Sequence, residues 1–286
     1  MELDQLRSAA RGVRTVTIPA TDGGGEIEFD IAGRGADERI PVVLLHGWTL
    51  DRRMWASQVE ALSGRRVVIA IDRRGSGASR SVPDLSRESD DVAAVLDAVG
   101  LRAAAVVGMS QGGLVAADFA LRHPARIAAL VLQGARLGSV AAAAQADIPV
   151  SEYADLARSG RLEQMKTLWR EHVLMRVYDA SQQPAVDAML EAYSAEDLVR
   201  RDSAAIEISD ADLASLQVPA LIAVGEFDSK LRRRVAQHLA KILPDARLVE
   251  FARAGHLCNM CASDAYNSKL EAFLDGVDQG LRARIS

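Results

Sequence analysis

Cysteine is nearly absent. The 286 residues contain two, Cys258 and Cys261, and two thiols three positions apart cannot make a disulfide framework. The Cys-x-x-Cys spacing is that of a redox motif, but no redox fold surrounds it, and packing is the expected role of both thiols. Long apolar runs are also missing. The longest, Pro41–Leu45 and Ile127–Leu132, are of strand length and far short of the roughly 18 residues that span a bilayer. No basic excess exists. Lys plus Arg is 34 against 39 Asp plus Glu, a formal net charge of -5, which argues against a nucleic-acid partner. The start, Met1-Glu2-Leu3-Asp4-Gln5, lacks the basic and apolar regions of a secretory signal. The expectation is a soluble, cytoplasmic protein without membrane attachment.

The residues that are present describe one ordinary globular chain. Hydrophobic residues make up 49% and charged residues 26%, enough to build a large buried core. Two local basic clusters, Arg73-Arg74 and Arg232-Arg233-Arg234, stand out. The second falls in a helical stretch and is expected to be a solvated face.

Val13–Ile18 and Glu26–Ile31 alternate apolar and polar residues around Asp22-Gly23-Gly24-Gly25, the pattern of a β-hairpin. Continuous apolar runs follow at Val42–Leu45, Val67–Ile71, Ala103–Val107 and Ile127–Leu132. Such runs suit parallel strands buried on both faces. Helical patterns separate them. Val92, Val95, Leu96 and Val99 share a face before Gly100, and Gln111 to His123 ends at Pro124. After Gly134 the alternation stops. Tyr153–Arg176 has helical spacing, with Leu162, Met165, Trp169 and Val173 on one stripe; Val186, Met189, Leu190 and Tyr193 form another. Ala141–Ala146 fits helix or loop. Strands resume at Val218–Val224 and Ala246–Phe251, with helices at Lys230–Leu243 and from about Ala262 to Gly276.

The expected fold is α/β, a mostly parallel eight-stranded sheet flanked by helices. Residues 1–134 and 214–286 would form the core, and 135–213, too long for a plain crossover, an inserted helical cap.

Chemistry concentrates at Gly108-Met109-Ser110-Gln111-Gly112, a Gly-x-Ser-x-Gly motif between an apolar run and a helix. A serine on a sharp strand-to-helix turn projects its oxygen from the sheet. Glycines on both sides remove the side chains that would clash, and the helix start directs free N–H groups at developing negative charge. A serine hydroxyl also needs a base. Of five histidines, His123 closes a helix, His238 lies in a charged helix, His172 falls in the cap segment and His46 ends a strand. His256 follows the last strand run.

The chain resembles the α/β-hydrolase fold superfamily, of the capped kind that includes bacterial esterases, enol-lactonases and cofactor-free haloperoxidase-like enzymes. His46-Gly47-Trp48, Asp72 to Ser79, the Ser110 motif, Gly225-Glu226-Phe227-Asp228 and Gly255-His256 carry the resemblance, which runs from about Val13 to the last helix. It implies Ser110 as nucleophile, His256 as base and Asp228 as the acid that orients the base, with Glu226 as the alternative acid. It also implies an oxyanion hole of the Trp48 and Gln111 backbone N–H groups. His46 becomes a structural residue beside that loop. No cofactor and no metal are implied, and serine at position 110 disfavours relatives that use a carboxylate nucleophile there.

The implied substrate is a small or medium carboxylic ester or lactone, cleaved through an acyl-enzyme. Trp48, Met165, Trp169 and His172 are the candidate substrate contacts. A carbon–carbon bond hydrolase, a perhydrolase or lyase on the same residues, and a non-catalytic ligand-binding protein remain open alternatives. Cap helices could join two copies in a homodimer or close over the site.

Overall fold

A computed structural model describes residues 12–33, 39–200 and 205–285. The N-terminal stretch Met1 to Gln5, expected to carry no secretory signal, lies outside them, as do the first residues of the expected core and residues 201–204 of the expected insertion. Among the described residues no helix is long and apolar enough to cross a membrane.

Eight strands form one sheet: β1 (Arg14–Pro19), β2 (Glu26–Ala32), β3 (Val42–Leu45), β4 (Val68–Ile71), β5 (Ala104–Met109), β6 (Ile127–Gln133), β7 (Ala220–Gly225) and β8 (Ala246–Phe251). Their order is β1-β2-β4-β3-β5-β6-β7-β8. The β1–β2 and β2–β4 pairs are antiparallel and every other pair is parallel. β3, β4, β5 and β7 are buried at every residue, which explains why they read as unbroken apolar runs.

Alternate residues feed two apolar layers. Val42, Leu44, Val107 and Val131 face one layer, closed partly by the helices Ala56–Ser63 (α1) and Ser263–Ile285. Val43, Leu45, Val106 and Leu130 face the other, beside Leu85–Ala98 (α2), Gln111–Arg122 (α3) and Lys230–Ile242.

Several local expectations need correction. Helix α2 begins at Leu85, because Asp84 caps it by accepting from the Ser86 N–H, well ahead of the apolar stripe that starts at Val92. Helix α1 carries too weak a stripe to be read from sequence. The last helix continues to Ile285, past Gly276.

Between β6 and β7 every described element is helical, beginning with α4 (Gly138–Ala142) and ending with Asp210–Ser215. The stretch Tyr153–Arg176 is not one helix. It divides into α5 (Val150–Arg158), α6 (Leu162–Glu171) and a 3₁₀ turn at Val173–Met175. Gly160, at φ +75°, takes the left-handed conformation that ends α5. The stripe also stops early: Met165 and Trp169 are buried, but Val173 is 37% exposed. Two further helices, α7 (Gln183–Ala192) and α8 (Glu196–Val199), complete the part of this segment that meets the site.

Arg232 is the clearest reversal. It is 3% exposed, not solvated. Its Nε and Nη2 donate to Asp147 at 2.8 and 3.1 Å, and its Nη1 donates to the Gly134 carbonyl at 2.8 Å. Arg234 is exposed and Arg233 half-buried. His238 is likewise half-buried, 3.0 Å from Asp210.

Candidate active site

Ser110 stands at the carboxyl end of β5, at the first turn of α3. Its backbone has φ 53° and ψ -111°, a conformation that non-glycine residues adopt only where the surroundings impose it. The imposition is visible. The Ser110 N–H donates to the Gln133 carbonyl of β6 at 2.7 Å, and the Ser110 carbonyl accepts from Gly113 at 3.0 Å. A Cβ at Gly108 would lie 2.2 Å from the Gly112 carbonyl oxygen. One at Gly112 would lie 2.4 Å from the Leu45 carbonyl oxygen. Strand and helix approach so closely that both glycines of the motif are steric necessities.

His256 follows β8 and is 3% exposed. Its Nδ1 stands 2.8 Å from Asp228 Oδ2. The other Asp228 oxygen accepts from the Ser229 N–H at 2.7 Å. Glu226 turns away and accepts from the Arg253 N–H at 2.8 Å, so Asp228 is the carboxylate on the imidazole. His256 Nε2 is buried and has no hydrogen-bond partner among the described residues. A buried ring nitrogen without a partner is costly, and a carboxylate on the opposite nitrogen favours the tautomer that leaves Nε2 a bare acceptor. Gly134, at φ +54°, packs against this pair: a Cβ there would lie 2.6 Å from His256 Cε1. Arg232 fixes the Gly134 carbonyl and so ties the floor of the imidazole to Asp147.

A chain of buried amides holds the loop from the other side. Gln133 Nε2 donates to the His256 carbonyl at 3.0 Å and to Asn259 Oδ1 at 2.9 Å. Asn259 Nδ2 donates to the Met54 carbonyl at 3.1 Å. Gln58 Nε2 donates to the Asn259 carbonyl at 3.0 Å and to Asn267 Oδ1 at 2.6 Å. Cys258 is buried beside this chain, and burial pushes its thiol well above the ordinary range. Such a thiol is unreactive. Cys261 is half-buried and accepts from the Tyr178 N–H at 3.3 Å.

The opposite wall is built on His46 and Arg73. His46 Nε2 accepts from the Arg73 N–H at 2.9 Å, while its Nδ1 lies 2.8 Å from the Gly47 carbonyl. Arg73 pairs with Glu88 through two nitrogens at 2.6 and 3.2 Å, and also donates to the His46 carbonyl and to Gln111 Oε1. Arg74 is held by Asp91 and Asp22. Both arginines of this cluster therefore brace the loop. Full burial, aided by the Arg73 charge, holds the His46 imidazole down at about 3. The unfolded chain then binds more protons than the folded one between about pH 6.5 and pH 3. The His46 contribution is complete above that window and is lost as pH falls through it. The raised Asp72 and Glu88 carboxyls act in the opposite sense and are common to both proteins, so the expected result is a urea midpoint that falls relative to that of His46→Gln as pH goes from 7 to 5. Equal slopes in the two proteins would refute the assignment.

Trp48 and Gln111 present their backbone N–H groups with no protein acceptor among the described residues. The Trp48 indole is the hub of an aromatic cluster, 5.0 Å from Trp169, 5.9 Å from Tyr193 and 6.3 Å from Tyr153. Its Nε1 donates to Asp197 Oδ2 at 2.7 Å, and Tyr193 donates to the other Asp197 oxygen at 2.5 Å.

Ser110, Gln111 and Trp48 line a cavity of about 350 Å³. Leu114, Ile148, Val150 and Leu198 supply apolar wall, and Asp84, Asp197, Arg136 and Arg232 polar wall. Of the expected substrate contacts only Trp48 reaches it. Met165 and Trp169 are buried in the layer behind Trp48, where Trp169 Nε1 donates to Thr49 Oγ1 at 2.7 Å. His172 stacks on Trp169 at 4.8 Å and lies outside the cavity wall. A stripe at helical spacing marks a buried face, and here the face is buried by packing. Asp197, Tyr193 and Arg136 were not anticipated. Asp197 and Arg136 occur singly, at a helix end and in a loop, and no spacing announces them; Tyr193 stands in a helical stripe, whose spacing marks a buried face but not its hydroxyl partner.

The sequence model of the alpha/beta hydrolase fold matches residues 40–260, which takes in every site residue above. The chain belongs to the alpha/beta hydrolase fold family. Among members, a protein of Caulobacter sp. strain K31 named as a carbamate hydrolase is 29% identical over 262 residues, covering 86% of this chain and 95% of that one. The pimeloyl-[acyl-carrier protein] methyl ester esterase of Chromobacterium violaceum is 33% identical over 233 residues, covering 78% and 88%. Among solved members, the enol-lactonase of Burkholderia xenovorans LB400 superposes with a TM-score of 0.74 at 25% identity, covering 91% of this chain and all of that one.

Proposed function

We propose that this hydrolase-family protein cleaves a small or medium carboxylic ester or lactone through an acyl-enzyme. The observation that carries the reading is His256, with Asp228 on Nδ1 and a buried Nε2 unpartnered among the described residues, together with a serine held at positive φ whose N–H is fixed by Gln133, the residue whose side chain also holds the His256 carbonyl. In this reading Nε2 accepts the Ser110 proton as Oγ attacks the carbonyl carbon. The Trp48 and Gln111 N–H groups take the charge that develops on the carbonyl oxygen. The carbon–oxygen bond breaks, and His256 passes its proton to the departing alcohol. Water, deprotonated by His256, then releases the acid and restores Ser110. Residues 135–213 serve as a lid over the core formed by 1–134 and 214–286, and the 350 Å³ cavity sets the size of the acyl group. The methyl ester esterase and the enol-lactonase among its relatives support this class of substrate.

A fluorophosphonate probe is expected to add one label per chain, on the peptide that contains Ser110, and to stop hydrolysis of a short p-nitrophenyl ester in proportion. Full ester turnover after stoichiometric labelling, or a label on another serine, would refute the proposal.

A further inference from the structure

Four guanidinium groups line the cavity: Arg73, Arg74, Arg136 and Arg232. Three have carboxylate partners. Arg73 pairs with Glu88, Arg74 with Asp91 and Asp22, and Arg232 with Asp147. Arg136 has none within 4 Å among the described residues. Its Nη2 is fixed by two backbone carbonyls, Ala141 at 2.7 Å and Ala144 at 3.1 Å. Its Nε is buried without a partner. These contacts orient the group without neutralising it.

A half-buried, uncompensated cation in a cavity wall is expensive unless something occupies it. The other polar groups of the wall are not available to it. Asp84 is engaged at the start of α2, Glu88 by Arg73, and Asp197 by Trp48 and Tyr193. We infer that Arg136 is an anion subsite, and that the substrate carries a carboxylate a few bonds from its scissile carbonyl. The inference rests on the serine-hydrolase reading for the scissile end and deepens it.

Geometry sets the spacing. Taken as a sphere, the cavity is roughly 9 Å across, a small-ligand pocket. Arg136 follows the β6 turn whose Gln133 carbonyl holds the Ser110 N–H. Serine and guanidinium therefore bound the same small space, whose apolar wall includes Leu114, Ile148 and Val150. A half-ester of a four- to six-carbon dicarboxylic acid, or the matching carboxylate-bearing lactone, fits both ends at once. Nη2 is taken by the two carbonyls and Nε is buried, so Nη1 is the donor that offers a carboxylate a charge-assisted hydrogen bond.

The test compares monomethyl glutarate with methyl pentanoate, which differ at the far end by carboxylate against methyl. Proton release is followed in wild type, Arg136→Gln and Arg136→Lys. The readout is the ratio of the two kcat/KM values, which cancels any general damage. Wild type is expected to favour the half-ester at least about tenfold. Arg136→Gln should lower the ratio on the order of 30-fold, and Arg136→Lys should restore part of it. A wild-type ratio at or below one, or a ratio unchanged in Arg136→Gln, overturns the inference.

Calorimetric titration with glutarate keeps the two readings separate. Glutarate binding that Arg136→Gln removes, in a protein that cleaves neither ester, would keep the anion subsite and remove the hydrolase. Cleavage of both esters with no glutarate binding would do the reverse.

Discussion

Ser110→Ala is expected to lower kcat/KM for a cleavable ester by about 10⁴- to 10⁶-fold and to leave the fold untouched. The two halves of that expectation have separate grounds. Ser110 Oγ makes no hydrogen bond among the described residues, and the residue's structural work is done by its backbone, through Gln133 and Gly113. Alanine keeps those bonds and meets the same φ of 53° at a similar cost. The melting temperature should therefore stay within about 2 °C of wild type, since no named mechanism of large destabilisation applies. The chemistry has no such substitute. Without Oγ no acyl-enzyme forms, and the backbone donors alone leave only modest acceleration over water. Rates above about a tenth of wild type would remove Ser110 from the mechanism.

Gly112→Ala is expected to do what Ser110→Ala does not. The added methyl would lie 2.4 Å from the Leu45 carbonyl oxygen and 2.5 Å from that of His46. Both are backbone atoms at the end of a central strand, so no side chain can swing aside. Overpacking of this kind costs about 3 kcal/mol. In a protein of this size that lowers the melting temperature by roughly 6 to 12 °C. Any relief must push on the segment that leads into Trp48, so ester turnover should fall at least about 100-fold as well. The matched control is Gly276→Ala. That glycine sits within the last helix with nothing inside 4 Å of its would-be Cβ, and alanine there should stabilise by up to about 1 kcal/mol. Equal melting temperatures for the two alanine variants would contradict the steric account.

The parts of this architecture readable from sequence are those fixed by short-range rules. β3, β4, β5 and β7 announce themselves because both faces are buried, so the apolar run is unbroken. Ser110 is legible because a sharp turn between strand and helix demands glycine at fixed offsets. Asp228 and His256 follow from a resemblance that spans the chain. The failures share a cause as well. Arg232 reads as part of a solvated run, because its partner Asp147 lies 85 positions away and no local pattern encodes that encounter. Arg136 and Asp197 are single polar residues whose meaning comes only from what surrounds them. Met165 and Trp169 display a true buried face, but spacing cannot say whether a ligand or the protein buries it. The break at Gly160 turns on one left-handed residue inside an otherwise helical pattern.

The two sides of the site are built from different chemistry. The anchor beneath His256, from Gln133 through Asn259 to Gln58 and Asn267, consists of uncharged amides and contains nothing that titrates. The brace behind Trp48 and Gln111 depends on His46 and on the Arg73–Glu88 pair. Burial raises the Glu88 carboxyl above its ordinary range and lowers the His46 imidazole, so both resist their charged forms. Mild acid therefore acts first on the brace. Glu88 can take its proton in the folded state and so opposes opening, whereas His46 takes its proton only once its loop opens; acid below about pH 6.5 therefore favours local opening around His46 and Arg73 while the His256 loop still excludes solvent. Amide hydrogen exchange would record this as two separate onsets. On the proposed mechanism, the molecule would lose its grip on the carbonyl oxygen at an acidity where His256 still stands in place.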